Sequence, residues 1–328
     1  IYFNSPRAGF SGVREFAAST QVANEFVVND VSAQVPKYIP GTIFSMAPAK
    51  AEDCLVCAAD GDVGALYVYK YFVQNGAKIQ SAWSRFVLNL DSSVVGLGFF
   101  DSSLYVVVQH DTQVTLERIE MSPSAADPQA TSLTYIDRRV AFGPDGVGAV
   151  SFNGGTNQTT CTVPYTIAPG DTIQAATRAF PGFTTIQEIT VVSATGTTVV
   201  LSGNFASTPI YVGSQYTMRY RFTSPTLRDA AQNGKTPYAS GRLQIHSGRL
   251  VYDKSTSFRV DVAPLQGTAR SYPFSKGTLY PSGIHPFVVL KSAGEFTADI
   301  VNDTPFPSNF VSAEWIADFQ TKTARAPN

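Results

Sequence analysis

The sequence has little charge of either sign and no long apolar run. Lys and Arg number 24 and Asp and Glu 25, so charged residues make up only 15% of the 328 and the formal net charge is −1. This balance excludes a dominantly basic nucleic-acid binder and an acidic solvating tail. No apolar run approaches the roughly 18–20 residues that a membrane-spanning helix needs, so no membrane-spanning segment is predicted.

Cysteine and histidine are too few and too scattered to indicate a disulfide framework, a metal site or a catalytic site. The three cysteines are a small, odd number, which argues against a disulfide scaffold. Cys54 and Cys57 have the C-x-x-C spacing, but on a strand such residues point to opposite faces, and nothing nearby completes a zinc site. We therefore expect small core side chains there. With three isolated histidines and no nucleophile or phosphate-binding motif, the sequence predicts no catalytic residue, metal site or cofactor.

Turn-forming residues, in contrast, are abundant. The chain holds 25 Gly and 20 Pro between short apolar runs rich in Val, Thr, Tyr and Phe. Several runs alternate with period two, as at residues 216–222, which is typical of strands with one buried face. We therefore predict an all-β protein with few short helices. The one convincing helical spacing, between three valines, predicts a helix over 27–35 that Pro36 ends.

Two successive units of four strands are predicted between residues 41 and 136. Their strands lie near 42–47, 54–59, 66–72 and 79–88, and then near 94–100, 104–109, 114–121 and 132–136. Up-and-down units of this kind resemble propeller blades, although a plain β-meander fits the same spacing. Breaks in the pattern then favour three parts: propeller-like units over 1–136, a second β domain over 137–228 and a C-terminal β domain over 229–328. The two later parts are expected to be sandwich-like or barrel-like.

The predicted C-terminal part is locally basic. Between Arg228 and Lys276 there are eight basic side chains and three acidic ones, against a near-neutral whole. Such a segment fits an acidic partner surface or a phosphate backbone, and an ordinary solvated sheet face is the alternative. The candidate partner-contact residues are Arg242, Arg249, Lys254 and Arg259.

Six stretches together resemble a known family. They are IYFNSPRAGFSGVREF (1–16), VPKYIPGTIFSMA (35–47), LYVYKYFVQNGAKIQSAWSRF (66–86), LSGNF with PIYVGSQYTMRYRFTSP (within 201–225), GRLQIHSGRLVYDKSTSFRVDV (241–262) and VNDTPFPSNFVSAEW (301–315). In this order they resemble the C-terminal portion of the tail tubular protein B family, the tail nozzle proteins of short-tailed podovirus bacteriophages. The sequence is therefore expected to be a piece of a longer protein.

The resemblance implies a structural virion protein at the tail tip, synthesised in the cytoplasm of the bacterial host. It implies a homohexameric ring that docks on an adaptor ring (tail tubular protein A), helps to hold the tail fibres and gates the channel for DNA ejection. Genomic DNA would pass without sequence-specific binding, and no enzymatic chemistry or cofactor would be involved. The alternative is a host polysaccharide-binding or depolymerising tail protein, since 12% aromatic residues could stack on sugars.

Four residues are expected to be structural. Pro36 and Pro40 fix an extended entry into the first propeller-like unit. Trp83 is expected to fill the outer layer of that unit, and Trp315 belongs to the buried face of a strand predicted at 311–315.

Overall fold

The computed structural model describes residues 1–18, 25–75, 77–88, 92–110, 113–122, 132–144, 146, 148–179, 187–228 and 241–321. Every regular element in these ranges is a β-strand, 24 in all, which confirms the all-β class. No helix in the same ranges is long and apolar enough to cross a membrane.

The chain forms two compact units. The first comprises Ile1–Pro128 with Ala168–Asp171, and the second comprises Gln129–Ile167 with Thr172–Asn328. The sequence-based division at residues 136 and 228 stays a prediction.

The described part of the first unit contains β1 (Tyr2–Arg7), β2 (Phe10–Ala18), β3 (Phe26–Asp30), β4 (Ile39–Pro40), β5 (Ile43–Ala49), β6 (Cys54–Ala59), β7 (Asp62–Gln74), β8 (Ala77–Val87), β9 (Ser92–Phe100), β10 (Ser103–His110) and β11 (Gln113–Glu120). These strands form three sheets, in the orders β1-β2-β3 with β4 beside β2, β5-β6-β7-β8, and β9-β10-β11. All the pairings are antiparallel. The first predicted unit of four strands is confirmed in strand number and order.

Two predictions for this unit are wrong. The helix expected over 27–35 is instead the strand β3 followed by turns, because β-branched side chains favour the extended form and β2 offers a free edge. The fourth strand expected at 132–136 is absent from the β9–β11 sheet as the structure describes it. Ser132 bridges to Ala179 instead, and Ile136 packs with Tyr211 in the second unit.

The strand β6 is buried on both faces and separates two apolar clusters of the first unit. Cys54 lies in the cluster shared with the β9–β11 sheet, whereas Cys57 lies in the cluster shared with the β1–β4 sheet. The prediction that the two thiols point to opposite faces is confirmed. Both side chains are fully buried, as is Cys161.

We expect the three thiols to be inert toward Ellman's reagent in the folded chain at pH 8. Burial raises the pKa of Cys54 and Cys161 to about 11 and that of Cys57 to about 12, so little reactive thiolate forms. Thionitrobenzoate release should be negligible before guanidinium is added and should reach three equivalents per chain afterwards. Rapid labelling of any of these cysteines in the folded chain would contradict the buried arrangement.

The described part of the second unit contains β12 (Asp137–Phe142), β13 (Val150–Asn153), β14 (Gln158–Thr162), β15 (Ile173–Thr177), β16 (Glu188–Ile189), β17 (Val191–Thr195), β18 (Thr198–Ser202), β19 (Ile210–Ser214), β20 (Met218–Arg221), β21 (Gly241–Pro264), β22 (Arg270–Ser292), β23 (Phe296–Asn302) and β24 (Phe310–Thr321). The sheets β12-β19-β15-β16 and β13-β14-β18-β17 enclose one apolar cluster, as in a sandwich. The third sheet has the order β20-β23-β21-β22, with β24 beside β21.

The third sheet is organised around β21 and β22, strands of 24 and 23 residues that pair along most of their length. The first half of β21 also pairs with β24 and the second half with β23. Irregularities in its pairing between Ile245 and Ser247 and between Ser255 and Ser257 change which side chains face the core. The core is rich in aromatic rings, among which Phe258 and Phe274 stack at 4.7 Å between centroids.

Candidate functional site

The four predicted basic contact residues all lie on β21, but they do not form one cluster. Arg242 lies at the start of the strand, where its Nε donates to Ser292 Oγ at 2.6 Å. Lys254 is exposed and has a positive φ of 46° beside the second pairing irregularity. Arg259 lies in the second half of the strand, where β23 replaces β24 as the neighbour. Any partner that contacts all four must therefore extend along most of β21.

The positive charge of Arg259 is neutralised by two carboxylates of the same chain. Its Nη1 donates to Asp303 Oδ2 at 2.5 Å and its Nε donates to Asp261 Oδ2 at 3.0 Å. The hydrogen bond to Asp303 is the main reason why the pKa of Arg259 is raised. Its guanidinium is thus already held in place by its own chain.

Arg249 has a different environment, on the outward face of the sheet. Gly248 and Leu250 are buried against the core, so Arg249 between them points away from it and is exposed. It lies directly opposite Glu314 on β24 and Pro286 on β22. Within the described ranges Arg249 makes no ion pair, not even with Glu314.

Aliphatic side chains lie around Arg249 on this face, together with the exposed Glu314. Ile284 is 59% exposed, Val288 39% and Ile316 43%, and Val251 is half-buried. The register places Ile284 opposite Val251, and Val288 and Ile316 on either side of Ser247. We call this surface, formed by Arg249, Val251, Ile284, Val288, Glu314 and Ile316, the Arg249 face.

An ion cluster on β20 and β23 was not found by sequence reasoning. Asp299 is only 4% exposed, and Arg221 binds it through two hydrogen bonds, Nε to Oδ1 at 2.7 Å and Nη2 to Oδ2 at 2.9 Å. Arg219 Nε donates to Asp299 Oδ2 at 3.0 Å. The Arg221 hydrogen bonds are the largest cause that lowers the pKa of Asp299. The alternation of Arg219 and Arg221 was visible in the sequence, but their carboxylate partner lies far along the chain.

A lysine enclosed by tyrosines connects β8 to the first sheet. Lys78 Nζ lies 2.8 Å from Glu15 Oε2, 4.4 Å from the ring centroid of Tyr71 and 5.2 Å from that of Tyr69. Burial alone would lower the pKa of Lys78, but the hydrogen bond to Glu15 and the adjacent rings leave it raised. The cation is therefore stabilised as an internal link.

The residues predicted to be structural lie at these places. Trp83 on β8 is half-buried, donates its Nε1–H to Val31 O at 2.9 Å and packs 5.1 Å from the Tyr69 ring. Pro40 pairs with Phe10 through the short strand β4, and Pro36 is exposed in the turn before it.

Trp315 on β24 is half-buried and packs against three phenylalanine rings, with centroid distances of 5.4 Å to Phe222, 5.5 Å to Phe287 and 6.0 Å to Phe296. It thereby covers one side of the aromatic core of the third sheet.

Three residues of the first unit have the chemical order of a hydrolytic triad. Ser92 Oγ lies 2.9 Å from His110 Nδ1, and His110 Nε2 lies 2.8 Å from Glu117 Oε1. A nucleophile must be reachable by substrate, yet Ser92 is only 7% exposed and shares its face with the buried Val94. The arrangement is a buried polar cluster at the margin of the core. In the described ranges no group of three or more His, Cys, Asp or Glu side chains could hold a metal ion.

Comparisons with known proteins agree with the motif-based resemblance. The chain matches the bacteriophage nozzle protein family over residues 1–326. It is also similar to the tail tubular protein gp12 of Escherichia phage T7, with 23% identity over 343 residues that cover 99% of this chain and 42% of that protein. The chain thus spans less than half the length of this relative. Because the family match takes in almost every residue, the chain belongs to the bacteriophage nozzle protein family, whose members are structural proteins of the virion tail.

Proposed function

We propose that the chain is part of a subunit of the tail nozzle ring, which forms and gates the channel for DNA ejection. In this proposal six copies form the ring, and the ring contacts the adaptor ring (tail tubular protein A) and the tail fibres. The observation that carries the proposal is the family match over residues 1–326. Because the chain covers 42% of the phage T7 relative, the proposal concerns the share that this chain contributes to such a ring.

The pairing of arginines with carboxylates supports a passage for DNA. Arg85 pairs with Asp62, Arg118 with Glu120, Arg219 and Arg221 with Asp299, and Arg259 with Asp261 and Asp303. Each strong contact between a free cation and a phosphate would slow a moving duplex. Guanidinium groups already neutralised within the chain offer fewer such contacts, whichever surface faces the channel.

We propose roles for the predicted site residues on the same basis. Arg242, Arg249 and Lys254 are exposed and would contact partner proteins. Arg259 would contribute through its network with Asp261 and Asp303 rather than as a free charge. Trp83, Trp315, Pro36 and Pro40 would maintain the fold.

Glycan recognition remains the competing function. Sugar binding requires exposed aromatic faces, and the chain has both exposed rings, such as Phe26, Phe72 and Phe100, and rings buried in the cores, such as Tyr67 and Phe287. The family match, rather than the burial of the rings, favours the structural role.

The decisive experiment is to express the complete gene product that carries this chain and measure its mass by light scattering, with negative-stain images of the same peak. We expect a particle of six subunits with a six-fold ring and a central channel. A stable monomer that releases reducing ends from host capsule or cell-wall glycan would contradict the nozzle proposal and establish the competing one.

A further inference from the structure

The hairpin of β13 and β14 exposes an asparagine that is followed by glycine. Asn153 is the last residue of β13 and pairs with Gln158, the first residue of β14, across the loop of residues 154–157. Every residue from 151 to 157 is exposed to solvent. The chain has two further Asn-Gly pairs, at 75–76 and 233–234, but only at 153–154 does the structure describe both residues.

Asparagine is a chemically labile residue, because the backbone nitrogen of the next residue can attack its side-chain carbonyl carbon. The attacking nitrogen here is that of Gly154, and among the described residues its N–H finds no hydrogen-bond acceptor. The leaving group is Asn153 Nδ2, which makes no hydrogen bond within the same ranges. Because Gly154 has no Cβ, its peptide group can rotate toward the side chain with little steric resistance.

The carbonyl of the Asn153 side chain is polarised by the loop itself. The N–H of Gly155 donates to Asn153 Oδ1 at 2.9 Å. When the Gly154 nitrogen attacks Cγ, this oxygen takes up the negative charge of the tetrahedral intermediate. A backbone N–H that already points at such an oxygen stabilises the developing charge, as the donors of an oxyanion hole do. The loop therefore holds the nucleophile, the carbonyl carbon and a charge-stabilising donor within three consecutive residues.

We infer that Asn153 is a site of spontaneous deamidation in the folded chain. The Gly154 nitrogen gives its proton to hydroxide and bonds to Cγ of Asn153. The bond from Cγ to Nδ2 then breaks, and ammonia leaves with a proton taken from water, so that a cyclic succinimide remains. Water opens this ring at either of its two carbonyl carbons, which gives aspartate or isoaspartate. The reaction needs no partner protein and is therefore independent of the proposed ring.

Deamidation changes both the charge and the backbone of the hairpin end. Residues 150–158 carry no ionisable side chain, so the new carboxylate is the first charge in this stretch. Isoaspartate also adds a backbone methylene next to the last pair of the ladder, Asn153 with Gln158. Both products accumulate with time, so older copies of the chain differ from new ones on this exposed surface.

The test incubates the complete gene product at pH 8 and follows it by peptide-mapping mass spectrometry. Asn153 should convert at a rate within about tenfold of its rate in the urea-unfolded protein, a difference of at most about 1.4 kcal/mol in the barrier. Fragmentation of the peptide distinguishes Asn153 from Asn157. Labelling by an isoaspartyl methyltransferase should detect the isoaspartate product.

Gly154→Ala is the decisive variant, because a methyl group beside the attacking nitrogen hinders closure of the ring. A Cβ at Gly154 would lie 3.8 Å from the Phe152 ring, and the φ of Gly154 is outside the left-handed region, so the fold can accept the substitution. Conversion of Asn153 should slow by on the order of tenfold or more. Gly96→Ala is the matched control, since its Cβ also has free space, and it should leave the rate unchanged.

Urea unfolding followed by tryptophan fluorescence verifies that both variants fold. The inference is overturned if Asn153 of the folded protein keeps its amide while the unfolded protein converts, or if Gly154→Ala converts as fast as the wild type. Conversion of the folded protein at Asn75 or Asn233 alone would equally overturn it. Asn153→Asp supplies the reference mass and elution time for the aspartate product.

Discussion

Trp83→Ala is expected to lower the free energy of unfolding of the first unit by about 3 kcal/mol, at the low end of the range for removing a large aromatic side chain. The low end applies because Trp83 is half-buried. The loss has two parts: the packing of the indole against Tyr69, and the hydrogen bond from Nε1 to Val31 O, which connects β8 to the turn after β3. Trp83→Phe keeps most of the packing and should cost only about 1–2 kcal/mol.

The chain offers a way to measure this loss in one unit at a time. It has two tryptophans, Trp83 in the first unit and Trp315 in the second. In Trp83→Ala, fluorescence therefore reports only on the second unit, while hydrogen exchange of β6 and β7 reports on the first. We expect faster exchange in β6 and β7. Ile79→Ala, on the same strand but 57% exposed, is the control and should change stability by no more than about 0.5 kcal/mol. Unchanged exchange in Trp83→Ala would show that the indole contributes little to the core.

Asp299→Asn is expected to lower the free energy of unfolding of the second unit by about 2 kcal/mol at pH 7. The substitution keeps the shape of the side chain but removes the charge that binds Arg219 and Arg221. Hydrogen bonds to charged groups contribute roughly 1.5–3 kcal/mol, and the loss stays in this range because both arginines are more than half exposed, so that no buried charge is left unpaired. Asp253→Asn is the control, since the half-buried Asp253 side chain makes no ion pair with any residue that the structure describes.

The same variant has a defined pH dependence. The pKa of Asp299 is lower in the folded chain than its ordinary value of 3.8, mainly through the Arg221 hydrogen bonds. Its contribution to stability is therefore complete above about pH 4–5 and is lost as the pH falls through the folded pKa. In a Trp83→Phe background, where Trp315 is the remaining tryptophan of the chain, urea unfolding followed by fluorescence should show an advantage of Asp299 over Asn at pH 7 that shrinks toward pH 3 and below. An advantage of equal size at both pH values would mean that packing, rather than charge, is what the substitution removes.

Much of the local structure follows from the sequence because it depends on near neighbours. In the sequence, the turn-forming pairs Asp60-Gly61 and Asn75-Gly76 separate runs of strand length, and such short connections explain the up-and-down order of β5–β8. The opposite directions of Cys54 and Cys57 follow from the period of a strand alone. The valine spacing led to the wrong helix prediction because residues four apart lie on one face of a helix and also on one face of a strand. Pairing of residues 26–30 with β2 favours the strand over the helix.

Other features depend on residues that meet only in the folded chain. The predicted fourth strand near 132–136 has a strand-like composition, but the backbone and side-chain partners that it finds lie in the second unit. The basic segment likewise looked uniform in sequence. The tertiary structure distinguishes Arg259, which pairs with Asp303, from Arg249, which points outward between Pro286 and Glu314 on the neighbouring strands.

The sequence by itself determined the all-β class, the four-stranded sheet β5–β8 and the burial of the cysteines. Through six ordered motifs it also determined the family. These depend on the strand period, on turn chemistry and on residue identity, all of which are local. Only the tertiary structure decided that Asp299 meets Arg219 and Arg221, that Lys78 is enclosed by tyrosines and that Ser92, His110 and Glu117 meet inside the first unit. The first two groups join strands that are far apart in the sequence, β20 with β23 and β2 with β8, whereas the third depends on the register of the successive strands β9–β11. No residue spacing in the sequence fixes these distant pairings or that register.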